Sequence, residues 1–342
     1  MSTTTTVPGG DRAVRPPTAP LVRLDHVSKH FTTKGAGLFS RRTLTAVDDV
    51  SLDLPPAHTF ALVGESGSGK STLGRLALRL TEPSSGRVHF EGRDLTAMSP
   101  RQLRRTRQQM QVVFQDPLGS LDPRMSVADI VAEPLRVHRG LRGSELDDRV
   151  AALFEQVGLD TSRMRQRPKA LSGGQRQRVG IARAIALEPR LLLADEAVSA
   201  LDVSVQAQIT NLLAELRERL GLTYLFIAHG LPVVRQIADT VGVMYLGRVV
   251  EQGPVDEIFS APAHPYTKAL ISAQPVADPT YRRERVLLQG EIPSATAIPS
   301  GCRFRTRCPI ATATCAEVAP PRLVSSTGHV VECHYPLEEV VA

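Results

Sequence analysis

Apolar positions along the chain recur in two rhythms. Short runs from Val22 to Val27, Val50 to Leu54 and Thr59 to Val63 have the length and composition of strands, interrupted by a Gly- and Arg-containing stretch from Lys34 to Arg42. Helical spacing takes over from Ser71 to Leu80 and again from Ser144 to Val157. In the second of these Leu146, Val150, Leu153 and Val157 share one face, and Ser144 with Asp147 forms a capping-box pair. The run from Leu191 to Ala194 reads as a buried strand. Asp202 opens a helix that carries Ile209, Leu212, Leu213, Leu216 and Leu220 on one side and stops at Gly221, and a further buried strand runs from Thr223 to Ala228. Strands alternating with helices predict an α/β core with a parallel sheet, and the helix-rich middle from about Asp116 to Leu187 reads as an inserted helical subdomain.

The two ends break the rhythm. Pro8, Pro16, Pro17 and Pro20 punctuate a start with no periodic apolar pattern, so residues 1–20 are expected to be a disordered lead. After about Gln252 the pattern dissolves into Pro- and Arg-rich sequence, which predicts a catalytic domain over 21–255 and a separate, irregular module with little core of its own over 256–342. The net charge of +6 is dispersed rather than striped, the pattern of a solvated surface and not of a nucleic-acid footprint. No run of 18 apolar residues occurs and the start lacks the apolar segment of a signal peptide, so the chain by itself is expected to be cytosolic. All four cysteines fall between Cys302 and Cys333, and in that compartment structural disulfides are not expected.

Chemistry enters at Gly64-Glu65-Ser66-Gly67-Ser68-Gly69-Lys70-Ser71, followed by Thr72, which fits G-x-x-x-x-G-K-[ST] between a strand and a helix. The glycines let backbone fold around phosphate oxygens, and the helix beginning near Lys70 turns unpaired N–H groups toward an anion. Lys70 is expected to hold the β- and γ-phosphates of ATP, and the Ser71 hydroxyl to ligate Mg²⁺. Asp195 and Glu196 close the strand that starts at Leu191: Asp195 is positioned to support Mg²⁺ through a water, and Glu196 to act as general base.

Leu171-Ser172-Gly173-Gly174-Gln175, followed by Arg176-Gln177-Arg178, resembles the signature sequence of ATP-binding cassette (ABC) ATPases. Its physical logic is a second helix N-terminus, where Ser172 and the Gly173-Gly174 backbone can donate to the γ-phosphate of a partner subunit's nucleotide. The resemblance implies that two chains close head to tail. It also implies roles for Gln115 as the Q-loop glutamine near Mg²⁺, for Ser199-Ala200-Leu201-Asp202 as the D-loop, for His229 as the switch histidine, and for Phe31 as the aromatic stacked on adenine. The chain departs from the family pattern at Ala197-Val198, usually Pro-Thr, and at Gly230, usually Asp.

Past the cassette, the segments from Tyr245 to Gly253 and from His264 to Leu270, and the Cys-bearing sequence from Gly290 to Pro336, resemble the oligopeptide/dipeptide importer branch. That implies a bacterial importer built of two membrane permeases, two ATPase subunits, here a sibling heterodimer, and an extracytoplasmic solute-binding protein, with this chain peripheral on the cytoplasmic face of the inner membrane. Peptides are the commonest cargo of the branch, nickel complexes or another small solute are the alternative, and a soluble cassette ATPase acting on nucleic acid is the more distant reading. Cys302, Cys308, Cys315 and Cys333 are spaced C-x₅-C-x₆-C-x₁₇-C in a segment short of large apolar residues, which a metal staple would help to fold. Zinc sites favour closer cysteine pairs, so a [4Fe–4S] cluster is preferred and Zn²⁺ is the alternative. Arg303, Arg305 and Arg307 would offset the charge of either centre.

Overall fold

The computed structural model describes residues 19–34, 41–199, 201–228, 230–274, 286 and 288–338. Most of the expected N-terminal lead (1–18) and His229 lie outside the described residues. The chain opens with a long hairpin, β1 (Val22–Lys34) and β2 (Arg41–Leu54), whose antiparallel register runs from Val22 opposite Leu54 to Lys34 opposite Arg41. Both strands exceed their apolar cores because the ladder continues past the buried half into exposed, polar positions. β3 (Thr59–Val63) leads into α1 (Lys70–Ala77), which ends three residues before the apolar spacing does: Leu78 caps it, and Arg79 takes a left-handed φ of 49°. β4 (Ser85–Phe90) and the short β5 (Arg93–Asp94) complete a four-stranded antiparallel sheet in the order β2-β1-β4-β5.

After α2 (Pro100–Thr106) and β6 (Met110–Val113) come the helices of the inserted region, α3 (Val127–Pro134), α4 (Gly143–Gln156) and α5 (Gly173–Ile185). α4 buries Leu146, Val150 and Leu153 as its spacing predicts, but the expected capping pair does not form. Ser144 lies inside the first turn, and Arg142 at the cap position offers no side-chain bond. β7 (Leu191–Asp195), α6 (Val203–Leu220), β8 (Thr223–Ile227), α7 (Leu231–Ile237), β9 (Thr240–Tyr245) and β10 (Arg248–Pro254) follow. The tail contributes α8 (Val255–Ser260), α9 (Pro265–Ser272), α10 (Ala313–Glu317), β11 (Arg322–Val324) and β12 (Val330–Glu332). Among the described residues no helix is long and apolar enough to cross a membrane.

An eight-stranded sheet runs in the order β11-β12-β10-β9-β3-β8-β7-β6, with β6, β7, β8, β3 and β9 mutually parallel. Every position of β3, β7 and β8 is buried, as expected of parallel strands covered on both faces. Alternate side chains divide between two cores. Ala61, Val63, Leu192, Ala194, Tyr224 and Phe226 face the helices α3 to α7, whereas Phe60, Leu62, Leu191, Leu193, Leu225 and Ile227 face α1 and the antiparallel sheet. The sheet is thus the middle layer of three.

The tail shares its core with the cassette. Cys302, Phe304 and Cys315 belong to the helix-side core, and β12 pairs with β10 at the sheet edge. Glu251 in β10, 1 % exposed, anchors the junction: it accepts the backbone N–H groups of Ala263 (2.6 Å) and His264 (3.0 Å) and meets His329 Nε2 at 2.8 Å.

Candidate functional site

The loop between β3 and α1 lies at the carboxyl end of the parallel strands, where ligands bind in open α/β sheets. Two of its glycines are required by geometry. Gly64 has φ +142°, and a Cβ there would lie 2.2 Å from the Met244 carbonyl oxygen; Gly69 has φ +106°, and a Cβ would lie 2.1 Å from the Ala46 oxygen. The Lys70 amine turns back into this loop and donates to the carbonyls of Gly64 (2.8 Å) and Glu65 (2.9 Å), with Ser68 Oγ at 3.4 Å. Burial depresses its pKa, and the nearby carboxylates of Glu196, Asp195 and Glu65 oppose that shift. A buried ammonium held by carbonyl and hydroxyl oxygens is poised for a stronger anionic partner.

The acidic wall comes from the end of β7. Asp195 accepts the Ser71 hydroxyl at 2.8 Å, and the Arg75 guanidinium stands 3.8 Å from its other oxygen. Hydroxyl and carboxylate side by side are oxygen donors of the kind Mg²⁺ takes, so the residues present fit that ion. Glu196, 7 % exposed, adopts a left-handed φ of 51° that few non-glycine residues take, and its backbone N–H donates to the Ile227 oxygen at 3.0 Å. Gln115, just past β6, donates from Nε2 to the Glu196 carboxylate. Two residues predicted from separate motifs therefore meet at one point.

A cavity of about 710 Å³ opens between these walls, large enough for a nucleotide. Phe31, Ser66, Gly67, Gly69, Lys70, Ser71, Thr72, Gln115 and Glu196 all line it. Gly64, Glu65 and Ser68 form the loop behind, and Asp195 stands behind Ser71. Phe31 is 38 % exposed, with the Lys29 amine 5.1 Å from its ring centre. Leu44, Ala46, Leu246, Ile292, Pro293 and Ala295 also line the cavity. Sequence reasoning missed them: no local signal links the tail to the loop, although Thr45 N–H donates to the Ala295 oxygen at 3.1 Å.

The signature residues lie elsewhere. None of Ser172, Gly173, Gly174 and Gln175 lines that cavity. Ser172 is exposed at the start of α5 and makes a reciprocal cap, accepting Gln175 N–H at 3.3 Å while its own N–H donates to Gln175 Oε1 at 3.0 Å. The two glycines allow α5 to approach α6. A Cβ on Gly174 would lie 2.5 Å from Val205 and one on Gly173 3.3 Å from Leu201. Asp202 caps α6, accepting Val205 N–H at 2.9 Å and the Ser204 hydroxyl at 2.7 Å, bonds that lower its pKa. At the two departures from the family pattern, Ala197 and Val198 are buried in the helix-side core, and Gly230 starts α7 without a side-chain cap.

The four cysteines line one small cavity of about 10 Å³ together with His264, Phe304 and Tyr335. Burial raises the pKa of Cys302 and Cys308 and pushes Cys333 up to about 11, as in an apolar pocket of thiols. They share a wall without a common focus: among the described residues no group of three or more His, Cys, Asp or Glu side chains is placed to hold a metal ion. The donor chemistry fits a thiolate-bound centre, and the arrangement does not.

Comparison with known proteins follows the two halves of this geometry. The family model described as ABC transporter matches residues 47–199, and that described as oligopeptide/dipeptide transporter, C-terminal region, matches residues 250–315. The chain is 50 % identical over 319 residues to the oligopeptide transport ATP-binding protein OppF of Salmonella typhimurium, covering 92 % of this chain and 95 % of that one. It is 46 % identical over 319 residues to AppF of Bacillus subtilis, covering 92 % and 97 %. Among solved structures, a dimeric post-hydrolysis state of the ATP-binding cassette MJ0796 with ADP and phosphate superposes with a TM-score of 0.62 at 29 % identity, over 68 % of this chain and 98 % of that one. A cassette of the cbiONQ ABC transporter complex of Clostridium perfringens gives 0.62 at 28 % identity, over 71 % and 92 %.

Proposed function

The chain belongs to the ABC transporter ATP-binding proteins of the oligopeptide/dipeptide importer family, and from that premise we propose how its residues act in the ATP-driven import of peptides. The protein is an ABC ATPase that powers peptide import. The observation that carries the residue assignments is the meeting of Lys70, Ser71, Gln115 and Glu196 around one cavity of nucleotide size.

ATP enters beside Phe31, which offers its ring to the adenine, and the polyphosphate takes the Lys70 amine from the carbonyls of Gly64 and Glu65. Ser71, Gln115 and, through water, Asp195 would hold Mg²⁺, which would neutralise charge on the phosphoryl oxygens. Glu196 receives a proton from the attacking water, Gln115 fixes its carboxylate, and His229 contacts the γ-phosphate. The cap at Ser172, with Gly173, Gly174 and Gln175 behind it, faces the γ-phosphate held by the neighbouring cassette, and Asp202 supports that interface. Exposure of Ser172, which lines no part of its own chain's cavity, supports this two-chain arrangement, and the resemblance to the importer branch favours a sibling cassette as the partner. Two permeases and an extracytoplasmic binding protein complete the importer. The chain sits peripherally on the cytoplasmic face of the membrane, and nucleic acid has no part in it.

Tagged Glu196→Gln tests both levels. It should retain ATP affinity while turnover falls on the order of 10²–10⁴-fold, and it should co-purify in detergent with permeases and a second cassette. Hydrolysis at the wild-type rate removes Glu196 as base, and recovery of ribosomes or DNA-binding proteins instead removes the transporter. For the cysteines, the reading of Cys302, Cys308, Cys315 and Cys333 as ligands of a [4Fe–4S] cluster, with Zn²⁺ as the alternative, rests on their clustering in sequence and their thiol chemistry, and it requires the four side chains to draw together from the arrangement described. Anaerobically purified protein should show visible absorbance and iron; zinc without that absorbance would reverse the order.

A further inference from the structure

One residue of the phosphate-binding loop is gripped from outside the cassette core. The Arg307 guanidinium forks onto the Glu65 carboxylate, Nη1 donating to Oε2 at 2.6 Å and Nη2 to Oε1 at 2.9 Å. The Arg307 side chain is 8 % exposed and that of Glu65 24 %, so the pair is largely shielded from water and its fixed fork geometry holds the carboxylate in one orientation. The backbone N–H of Glu65 donates to Tyr266 Oη at 2.8 Å, and its carbonyl accepts Lys70 at 2.9 Å. Side chain, N–H and carbonyl of this single residue are therefore all occupied, two of the three by the tail. Its neighbours Ser66 and Gly67 line the nucleotide cavity.

The grip rests on a rigid base. Tyr266 packs on Tyr245 (ring centres 4.8 Å apart) and on Phe304 (5.4 Å), and Tyr245 meets Phe304 edge to face at 5.3 Å. All three rings are buried, and the Arg307 guanidinium stands 5.9 Å from the Tyr245 ring. An exposed ion pair would add little. A forked, shielded one set on a packed aromatic cluster can fix the shape of a glycine-rich loop that would otherwise lose entropy on binding phosphate.

We propose that Arg307 and Tyr266 are positioning residues for ATP, through which the tail holds Glu65 and keeps the phosphate-binding loop in its binding shape. The proposal rests on the reading of the cavity as an ATP site. Binding affinity should depend on the grip, whereas the phosphoryl-transfer step, served by Glu196 and Gln115, should not.

The test is equilibrium binding of a fluorescent ATP analogue to the full chain, with steady-state hydrolysis by the chain assembled with its partner cassette alongside, at a temperature where wild type and variants have the same circular dichroism. Arg307→Ala should raise Kd and KM about tenfold with kcat within about twofold, and Tyr266→Phe should raise them about threefold. Arg307→Lys, which cannot fork, should fall between wild type and Arg307→Ala. Glu65→Gln keeps the side-chain shape and should reproduce the loss from the loop side, so the inference does not depend on Arg307→Ala folding. A merely structural pair would lower the melting temperature and leave Kd alone, and that result overturns the proposal. If wild type itself fails to bind the analogue, the ATP reading falls and takes this inference with it; if wild type binds and every variant binds equally, the inference alone falls.

Discussion

Gly64 and Gly67 occupy the same loop and tolerate a methyl group very differently. At Gly64 both backbone and space forbid it, with φ +142° and a Cβ 2.2 Å from a carbonyl oxygen that cannot move without its strand; at Gly67 φ is +78° and nothing lies within 4 Å. Gly64→Ala should therefore cost roughly 3 kcal/mol and abolish nucleotide binding, whereas Gly67→Ala should cost about 1 kcal/mol. Thermal melts and nucleotide titrations of the two variants check this, and equal losses would contradict the geometry. The loop was legible in sequence because its chemistry is written in consecutive residues. Glu196 and Gln115 were legible only beside it, since an acidic residue after a strand is common, and their contact emerges from β6 and β7 being adjacent and parallel. Glu65 was legible as a loop member, and its partners Arg307 and Tyr266 were not, because no local pattern joins residues separated by most of the chain.

Strands and helices follow from sequence wherever one layer dictates the pattern. The apolar runs of β3, β7 and β8 are unbroken because the sheet has a core on each face, and α6 has both its cap, Asp202, and its left-handed stop, Gly221. The tail escaped such reading because β11 and β12 have only three residues each, too few for alternation to show. α9 carries a titratable cap: His264 is fully buried, its Nδ1 accepts Tyr266 N–H at 3.0 Å, and burial lowers its pKa from 6.5 to about 4. Above pH 6.5 the ring is neutral folded and unfolded alike. Between pH 6.5 and 4 the unfolded chain takes up a proton that the folded chain refuses, so stability falls with acidification at about 1.4 kcal/mol per pH unit from this group. His264→Asn keeps a capping acceptor without that titration. Its melting temperature should fall less steeply than that of wild type over this window, and parallel slopes would exclude His264 as the acid-sensitive joint.

At the scale of the whole molecule, the arrangement is one of separated halves. Lys70, Ser71, Gln115 and Glu196, the residues proposed to bind and cleave ATP, line the cavity, while the capped start of α5 is exposed and lines no part of it. In the two-chain arrangement proposed above, that exposed helix start serves the nucleotide of a neighbouring cassette. The four thiols mark the opposite case, in which sequence clustering predicts a shared site and the described structure brings the residues to one wall without a coordinating geometry. The most direct measurement of the central claim is sedimentation of Glu196→Gln with the proposed partner cassette, with and without saturating ATP. A two-cassette species should appear with ATP and disappear when Ser172→Arg is added to this chain. Saturable ATP binding with no change in mass would contradict the two-chain site.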